Sequence, residues 1–185
     1  MSKIILGLNG PLAAGKGTIA QYLKNKYAAT VYAFSTPLRD ILDRIYQPQT
    51  RVNMQDLSLD LRNRFGDDLL SSVIAKDATN DKNQIIVVDG VRRLPDIKYL
   101  RGLPGFHLIT VVTDQKVRWE RMVQRDQNPD DTEKTFAQFQ KDEQAEAEKH
   151  IAEVGQTAEF SINNNGSLDD LYQQIEDILK QVNGD

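Results

Sequence analysis

Nine consecutive residues, Gly10-Pro11-Leu12-Ala13-Ala14-Gly15-Lys16-Gly17-Thr18, carry the clearest chemical signal in the chain. They lie between an apolar run at 4–9 and an amphipathic helical pattern at 17–27. Backbone N–H groups can converge on an oxyanion only where no Cβ blocks the approach, which accounts for Gly10, Gly15 and Gly17 and for the small Ala13 and Ala14. A helix opening near Lys16 points its positive end at the same place. The Lys16 ammonium adds a full charge that can bridge the β- and γ-phosphates of a nucleoside triphosphate. The usual pattern has Ser or Thr directly after the lysine. Here Gly17 intervenes, so the Thr18 hydroxyl is expected first at a phosphate and only secondarily at Mg²⁺.

A second group of residues suits the rest of such a site. Residues 85–89 form an apolar run ending in Asp89, followed by Gly90. A carboxylate at the C-terminal end of a strand beside the phosphate loop would organise Mg²⁺ through its water shell. Arg92 and Arg93 follow at once and suit bidentate pairing with an acceptor phosphate. Arg39 stands in the first turn of a helical pattern, where a cation opposes the helix dipole and so suggests an anionic ligand. Arg62 is a further candidate of that kind. Arg118, Arg121 and Arg125 share helical spacing. Arg121 and Arg125 repel each other at i and i+4 unless an anion lies between them, so they are expected to close on the transferred phosphoryl group. Asp142, Glu143 and Glu146 read as a solvated face or as partners of these arginines. Trp119 reads as a packing residue, and His107 is too isolated for a general base.

The elements that must position these groups follow from periodicity. Apolar runs at 4–9, 31–34, 85–89 and 108–113, with a weaker one at 159–163, alternate with helical patterns at 17–27, 37–46, 55–64, 67–80, 95–101, 115–127, 132–153 and 167–182. Runs 4–6 and 85–88 are continuously apolar, as in strands covered on both faces. The pattern predicts a single α/β domain over 1–185, with five parallel strands in a three-layer arrangement and helices on both faces. Within it, about 36–80 is expected to be a helical acceptor-binding insert and about 118–150 an arginine-rich lid. The polar segments 47–54 and 128–132 are expected to be loops, and Ser167 to cap the last helix with Asp169 and Asp170 in its first turn.

Composition narrows the function. At 185 residues and 39% hydrophobic, the chain supports one core rather than two. A net charge of −4 argues against a polyanion binder, so no nucleic-acid partner is expected and phosphate chemistry must use a local cationic pocket. No cysteine and two histidines leave no thiolate or histidine-rich metal site. No apolar run is long enough for a membrane span and no secretory signal is recognisable, so a cytoplasmic protein is expected.

The motifs resemble the P-loop nucleoside-monophosphate-kinase-like family over nearly the whole chain. Gly-Lys-Gly-Thr is similar to the phosphate loop of adenylate kinases. Ser35-Thr36-Pro37-Leu38-Arg39 resembles their monophosphate-holding segment and, more closely, that of phage-type deoxynucleoside monophosphate kinases. Asp89-Gly90-Val91-Arg92 resembles the Asp-Gly plus arginine element of these enzymes and the Asp-Gly-Ile-Arg of archaeal kinase-like proteins. Ile162-Asn163-Asn164-Asn165-Gly166-Ser167 resembles the archaeal ending Ile-x-Asn-x-Gly-[Ser/Thr]. In dephospho-CoA kinases this loop lies beside adenine, which implies base contacts near Asn164 and Gly166. The resemblance implies a P-loop fold, ATP with Mg²⁺, and transfer of the γ-phosphoryl group to a small phosphorylated acceptor such as a nucleoside or deoxynucleoside monophosphate. Two alternatives stand beside it: a dephospho-CoA-type kinase acting on a hydroxyl, with Asp89 as base, and a nucleotide-binding switch or assembly ATPase using 132–153 as its partner surface. The region 127–132 is short and has no zinc cysteines, unlike the lid of adenylate kinase proper.

Overall fold

A computed structural model describes residues 3–125, 134–143 and 150–184. Five strands form one sheet: β1 (Ile4–Asn9), β2 (Thr30–Ala33), β3 (Ile85–Val91), β4 (Phe106–Val112) and β5 (Phe160–Asn163). Their order is β2-β3-β1-β4-β5, and every neighbouring pair is parallel. The five expected strands and the parallel α/β class are therefore present, including the weakly signalled last strand.

Alternation along β1 sends its side chains into two separate cores. Ile4, Leu6 and Leu8 pack with Ile19 and Leu23 of α1 (Lys16–Tyr27), and with Leu171 and Ile175 of the C-terminal helix Leu168–Asn183. Ile5 points the other way, joining Ile86 and Val88 of β3 and Ile74, Ala75 and Ala78 of the helix Leu69–Asn80. Each fully buried aliphatic side chain contributes roughly 1.5–3 kcal/mol of transfer free energy. Buried apolar surface on both sheet faces makes β1 and β3 rigid supports for whatever their C-terminal ends carry. The last helix starts as expected: the Ser167 hydroxyl accepts from Asp170 N at 3.1 Å, and the Asp170 carboxylate accepts from Ser167 N at 3.0 Å.

The region 36–80 divides in two. It holds α2 (Thr36–Arg44), α3 (Arg51–Phe65) and α4 (Leu69–Asn80). α4 packs into the layered core, and Leu38 and Leu42 of α2 are also buried, whereas Ile45, Tyr46, Val52, Leu59 and Phe65 are largely exposed. The most exposed part of the region expected as an insert thus lies between Ile45 and Phe65. The expected loop 47–54 is also shorter, because α3 begins at Arg51. Its signal is the Thr50 cap, whose hydroxyl accepts from Asn53 N at 3.1 Å. The pattern at 95–101 resolves into α5 (Leu94–Ile97) and a 3₁₀ turn, Leu100–Gly102.

Beyond α6 (Gln115–Arg125), the expected long helix 132–153 is represented by α7 (Phe136–Asp142) and α8 (Ile151–Gly155). Phe139, Ile151 and Val154 are buried, while Ala137, Gln138, Gln140, Lys141, Ala152 and Glu153 are exposed, so each of these helices packs one face inward and leaves the other on the surface. The expected break at 128–132 and Glu146 lie outside the described residues. Trp119 packs against Phe136, with ring centroids 5.6 Å apart. The C-terminal helix is α9 (Leu168–Asn183). No helix among the described residues is long and apolar enough to cross a membrane.

The boundary of the core predicts unequal costs of truncation. Ile74→Ala in α4 is expected to lose about 2–5 kcal/mol in urea denaturation. Leu59→Ala, on an exposed face of α3, is expected to lose less than about 0.5 kcal/mol. Similar losses at both positions would contradict this division.

Candidate active site

The phosphate loop leaves β1 after Asn9, a fully buried side chain. Asn9 Nδ2 donates to Val91 O at 3.0 Å, and its Oδ1 accepts from the Thr110 hydroxyl at 3.1 Å. One amide therefore joins the three central strands where the loop begins, next to the register shift between Leu8 and Asn9. Gly10 has φ 145° and Ala13 φ 59°, and Gly15 enters α1 at φ 104°. A Cβ on Gly10 would approach Val111 O to 2.7 Å, and one on Gly15 would overlap the Asn164 amide. Gly17 is different: it is exposed on the cleft lining, and a Cβ there would meet nothing among the described residues within 4 Å beyond its chain neighbours and its own helix backbone. Gly10 and Gly15 are thus needed by the protein's own packing, and Gly17 is not.

The cleft has a volume of about 1070 Å³ and brings together Ala13, Ala14, Gly15, Lys16, Gly17, Thr18, Asp89, Arg92, Arg121, Asn164 and Gly166. Lys16 Nζ donates to Gly10 O at 2.6 Å and Pro11 O at 2.9 Å, so it curls over the loop whose amides it accompanies. Arg121 Nη1 donates to Asn164 O at 2.9 Å. Arg92 is exposed on the cleft wall, and its backbone N–H donates to the Asp96 carboxylate at 3.1 Å. Among the described residues, the lining carries Lys16, Lys26, Arg92 and Arg121 on the cationic side and Asp89 on the anionic. The cleft is locally cationic within an acidic chain.

Asp89 tests whether a divalent cation fits. It sits two residues before the end of β3, beside Leu8 and Ala33. Its Oδ1 is buried and has no hydrogen-bond partner among the described residues. A buried carboxylate oxygen left without a donor is costly unless a ligand, water or metal completes it. The residues present therefore fit Mg²⁺ held through Asp89. Thr18, in the first turn of α1, also borders the cleft.

Other candidates lie apart. Arg39 is exposed and donates to Gln49 Oε1 at 2.6 Å within the insert. Arg93 pairs with Asp96 at 3.2 Å and approaches Asp67 at 3.8 Å, away from the cleft lining. Arg62 is half-buried; its Nε is buried and has no partner among the described residues. Burial and then the neighbouring Arg93 hold its pKa below the ordinary arginine value. Arg125 closes α6, and its side chain lies outside the described residues.

Two features were not expected from the sequence. Arg118 is buried rather than facing a lid: it donates to Thr113 O at 3.0 Å and Leu12 O at 3.2 Å, pairs with Glu143, and lies over Phe139. Glu143 is thus one of the arginine partners considered above. The far end of the cleft is formed by Tyr22 and Tyr172, stacked at 4.1 Å, with Lys26 beside them. Glu176 accepts from both Tyr22, at 2.6 Å, and Lys26, at 3.0 Å. The signal for this end was the spacing of Thr18, Tyr22 and Lys26, one α1 face continuing from the loop.

A parallel sheet in this order, with a glycine loop between β1 and α1 and an acid near the end of β3, defines a P-loop kinase-like protein. The model of the AAA domain family AAA_17 matches residues 9–137, and the chain belongs to that family. A UPF0200 protein of Saccharolobus islandicus is 23% identical over 184 residues, with 97% of this chain and 94% of that protein covered. One of Staphylothermus marinus is 26% identical over 184 residues, with 98% and 94% covered. The archaeal resemblance read from the motifs is thereby met. Among solved structures, TT1252 from Thermus thermophilus aligns with a TM-score of 0.67 at 15% identity, covering 98% of both chains. A shikimate kinase from Bacteroides thetaiotaomicron aligns with a TM-score of 0.64 at 11% identity, covering 97% of this chain and 98% of its own. At such identities these structures establish the fold.

The buried position of Arg118 carries its own prediction. Arg118→Ala takes the cationic partner from Glu143, leaving it only Gln115 among the described residues, and removes the donors to Leu12 O and Thr113 O, so urea denaturation is expected to show a loss of about 3–5 kcal/mol. A loss below about 1 kcal/mol would mean that the side chain is solvated instead.

Proposed function

We propose that this protein transfers the γ-phosphoryl group of ATP to a phosphate-bearing small molecule, a nucleoside or deoxynucleoside monophosphate. The single observation carrying the proposal is the convergence, in one cleft, of the glycine loop, Lys16, the incompletely bonded Asp89 and the guanidinium groups of Arg92 and Arg121. In this reading the amides of 13–18 cradle the donor phosphates, and Lys16 exchanges the Gly10 and Pro11 carbonyls for phosphate oxygens. Asn164 and Gly166 border the donor side. Arg92 holds the acceptor phosphate, and Arg39, Arg62 and Arg93 serve the acceptor side at the insert. Arg121, with Arg125, neutralises charge on the equatorial oxygens of the moving group.

Mg²⁺ would supply charge neutralisation between the β- and γ-phosphates, and Asp89 would orient it through water, with Thr18 as a further contact. An acceptor oxygen forms the new bond to the γ-phosphorus while the bond to the β,γ-bridging oxygen breaks, and ADP leaves. A phosphate acceptor is already anionic, so positioning and electrostatics suffice and no base is needed.

One observation favours a second reading. The buried Oδ1 of Asp89, which has no hydrogen-bond partner among the described residues, could take a proton from a hydroxyl acceptor, as a dephospho-CoA-type kinase would require. The experiment is to follow ADP release from ATP·Mg²⁺ with a panel of nucleoside monophosphates, deoxynucleoside monophosphates and dephospho-CoA. Stimulation by a monophosphate is expected. Stimulation by dephospho-CoA alone selects the second reading. Slow hydrolysis indifferent to every acceptor overturns both and leaves a nucleotide-dependent switch. Lys16→Ala is expected to lower turnover by about a thousandfold while the circular dichroism spectrum stays that of the folded protein; near-normal turnover would reject the role given to Lys16.

A further inference from the structure

We infer that the Asn164 side chain is a positioning residue for the phosphate loop, one that aims the Gly15 N–H into the cleft by holding the Ala14 carbonyl from behind. The inference rests on the phosphate-binding role proposed above. Its starting point is a side chain that is 4% exposed and whose amide is already engaged: Asn164 Nδ2 donates to Ala14 O at 2.7 Å, across 150 positions of sequence. A second donor reaches the same oxygen, the Thr113 hydroxyl at 3.0 Å. A carbonyl oxygen has two lone pairs, and both are used here by groups from outside the loop.

The consequence lies in the peptide plane. In a trans peptide the C=O of Ala14 and the N–H of Gly15 point in opposite directions. Two donors fixing the carbonyl on the protein side therefore fix the amide on the cleft side, where Gly15 is part of the lining. The positive φ of Gly15 and its missing Cβ belong to the same arrangement, since a Cβ would occupy the space of the Asn164 amide. Asn164 is itself anchored, its N–H donating to Val112 O at 2.8 Å. Its own carbonyl accepts from Arg121 at 2.9 Å. One residue of the β5–α9 loop thus sets the aim of a loop amide and also the seat of the arginine on α6. One N–H of the Asn164 amide is committed to Ala14 O, so the phosphate loop is held by this side chain whether or not its remaining N–H or Oδ1 meets a base.

The test separates phosphate aiming from base contact and from mere stability. Calorimetric titration of the full chain with ATP and with inorganic tripolyphosphate, at equal free Mg²⁺, compares the wild type with Asn164→Leu, which keeps the volume and removes the donor. The expected result is a three- to tenfold loss of affinity, about the same for both ligands. Thr113→Val, which removes the other donor from a different element, is expected to show the same equal loss. The double variant, which leaves the buried carbonyl without a donor, is expected to lose about a hundredfold.

A loss for ATP alone would make Asn164 a base contact and overturn the inference. So would a lowered melting temperature with both affinities intact. If Asn164→Leu fails to fold, Thr113→Val decides by the same criterion. Failure of the wild type to bind tripolyphosphate would instead overturn the functional reading beneath it.

Discussion

A loop that turns its amides toward an anion must turn its carbonyls elsewhere, and each buried carbonyl needs a donor. Much of this structure follows from that constraint. Gly10 and Pro11 present their carbonyls to Lys16, Leu12 to Arg118, and Ala14 to Thr113 and Asn164. The donors come from α1, α6, the end of β4 and the loop after β5, so elements far apart in sequence meet behind one nine-residue segment. Arg118 is held in turn by Glu143, which brings α7 into the same assembly. The sheet supplies the fixed base: Asn9 locks β1 to β3 and β4 immediately before the chain leaves the strand.

The same constraint separates the arginines. Arg118 is spent on holding the loop and the turn before α6, and little of it is open to a ligand. Arg92 and Arg121 are on the cleft, and Arg121 also touches the back of the Asn164 loop. Arg62 and Arg93 form a neighbouring pair near the insert, with Asp67 and Asp96 partly compensating their repulsion. A chain of net charge −4 thus concentrates cations at one cleft, as phosphate chemistry in an acidic protein requires.

Residues whose role is local were readable in the sequence. The glycine loop, the buried runs of β1 and β3, the Asp-Gly ending and the Ser167 cap all declare themselves within a few positions. The start of α3 was missed because Thr50 and the polar residues after it look like a loop until the cap bond is seen. The helical pattern read at 132–153 is present in α7 and α8, but its start at Phe136 depends on the Thr135 cap, which composition alone does not mark. Arg118 and Arg121 stand three positions apart with similar neighbours, and only the fold turns one inward and the other toward the cleft. The role of Asn164 depends on a partner 150 positions away and has no local signal.

The central claim is that the amides of residues 13–18 and the Lys16 ammonium grip the phosphates of a nucleoside triphosphate. A crystal structure of the full chain with a non-hydrolysable ATP analogue and Mg²⁺ tests it most directly. The account predicts phosphate oxygens within hydrogen-bond distance of the Gly15 and Lys16 amides, Lys16 Nζ transferred from the Gly10 and Pro11 carbonyls to those oxygens, and Ala14 O still held by Asn164. An analogue bound elsewhere, or a loop that leaves Lys16 on its own carbonyls while the nucleotide occupies the crystal, would contradict it.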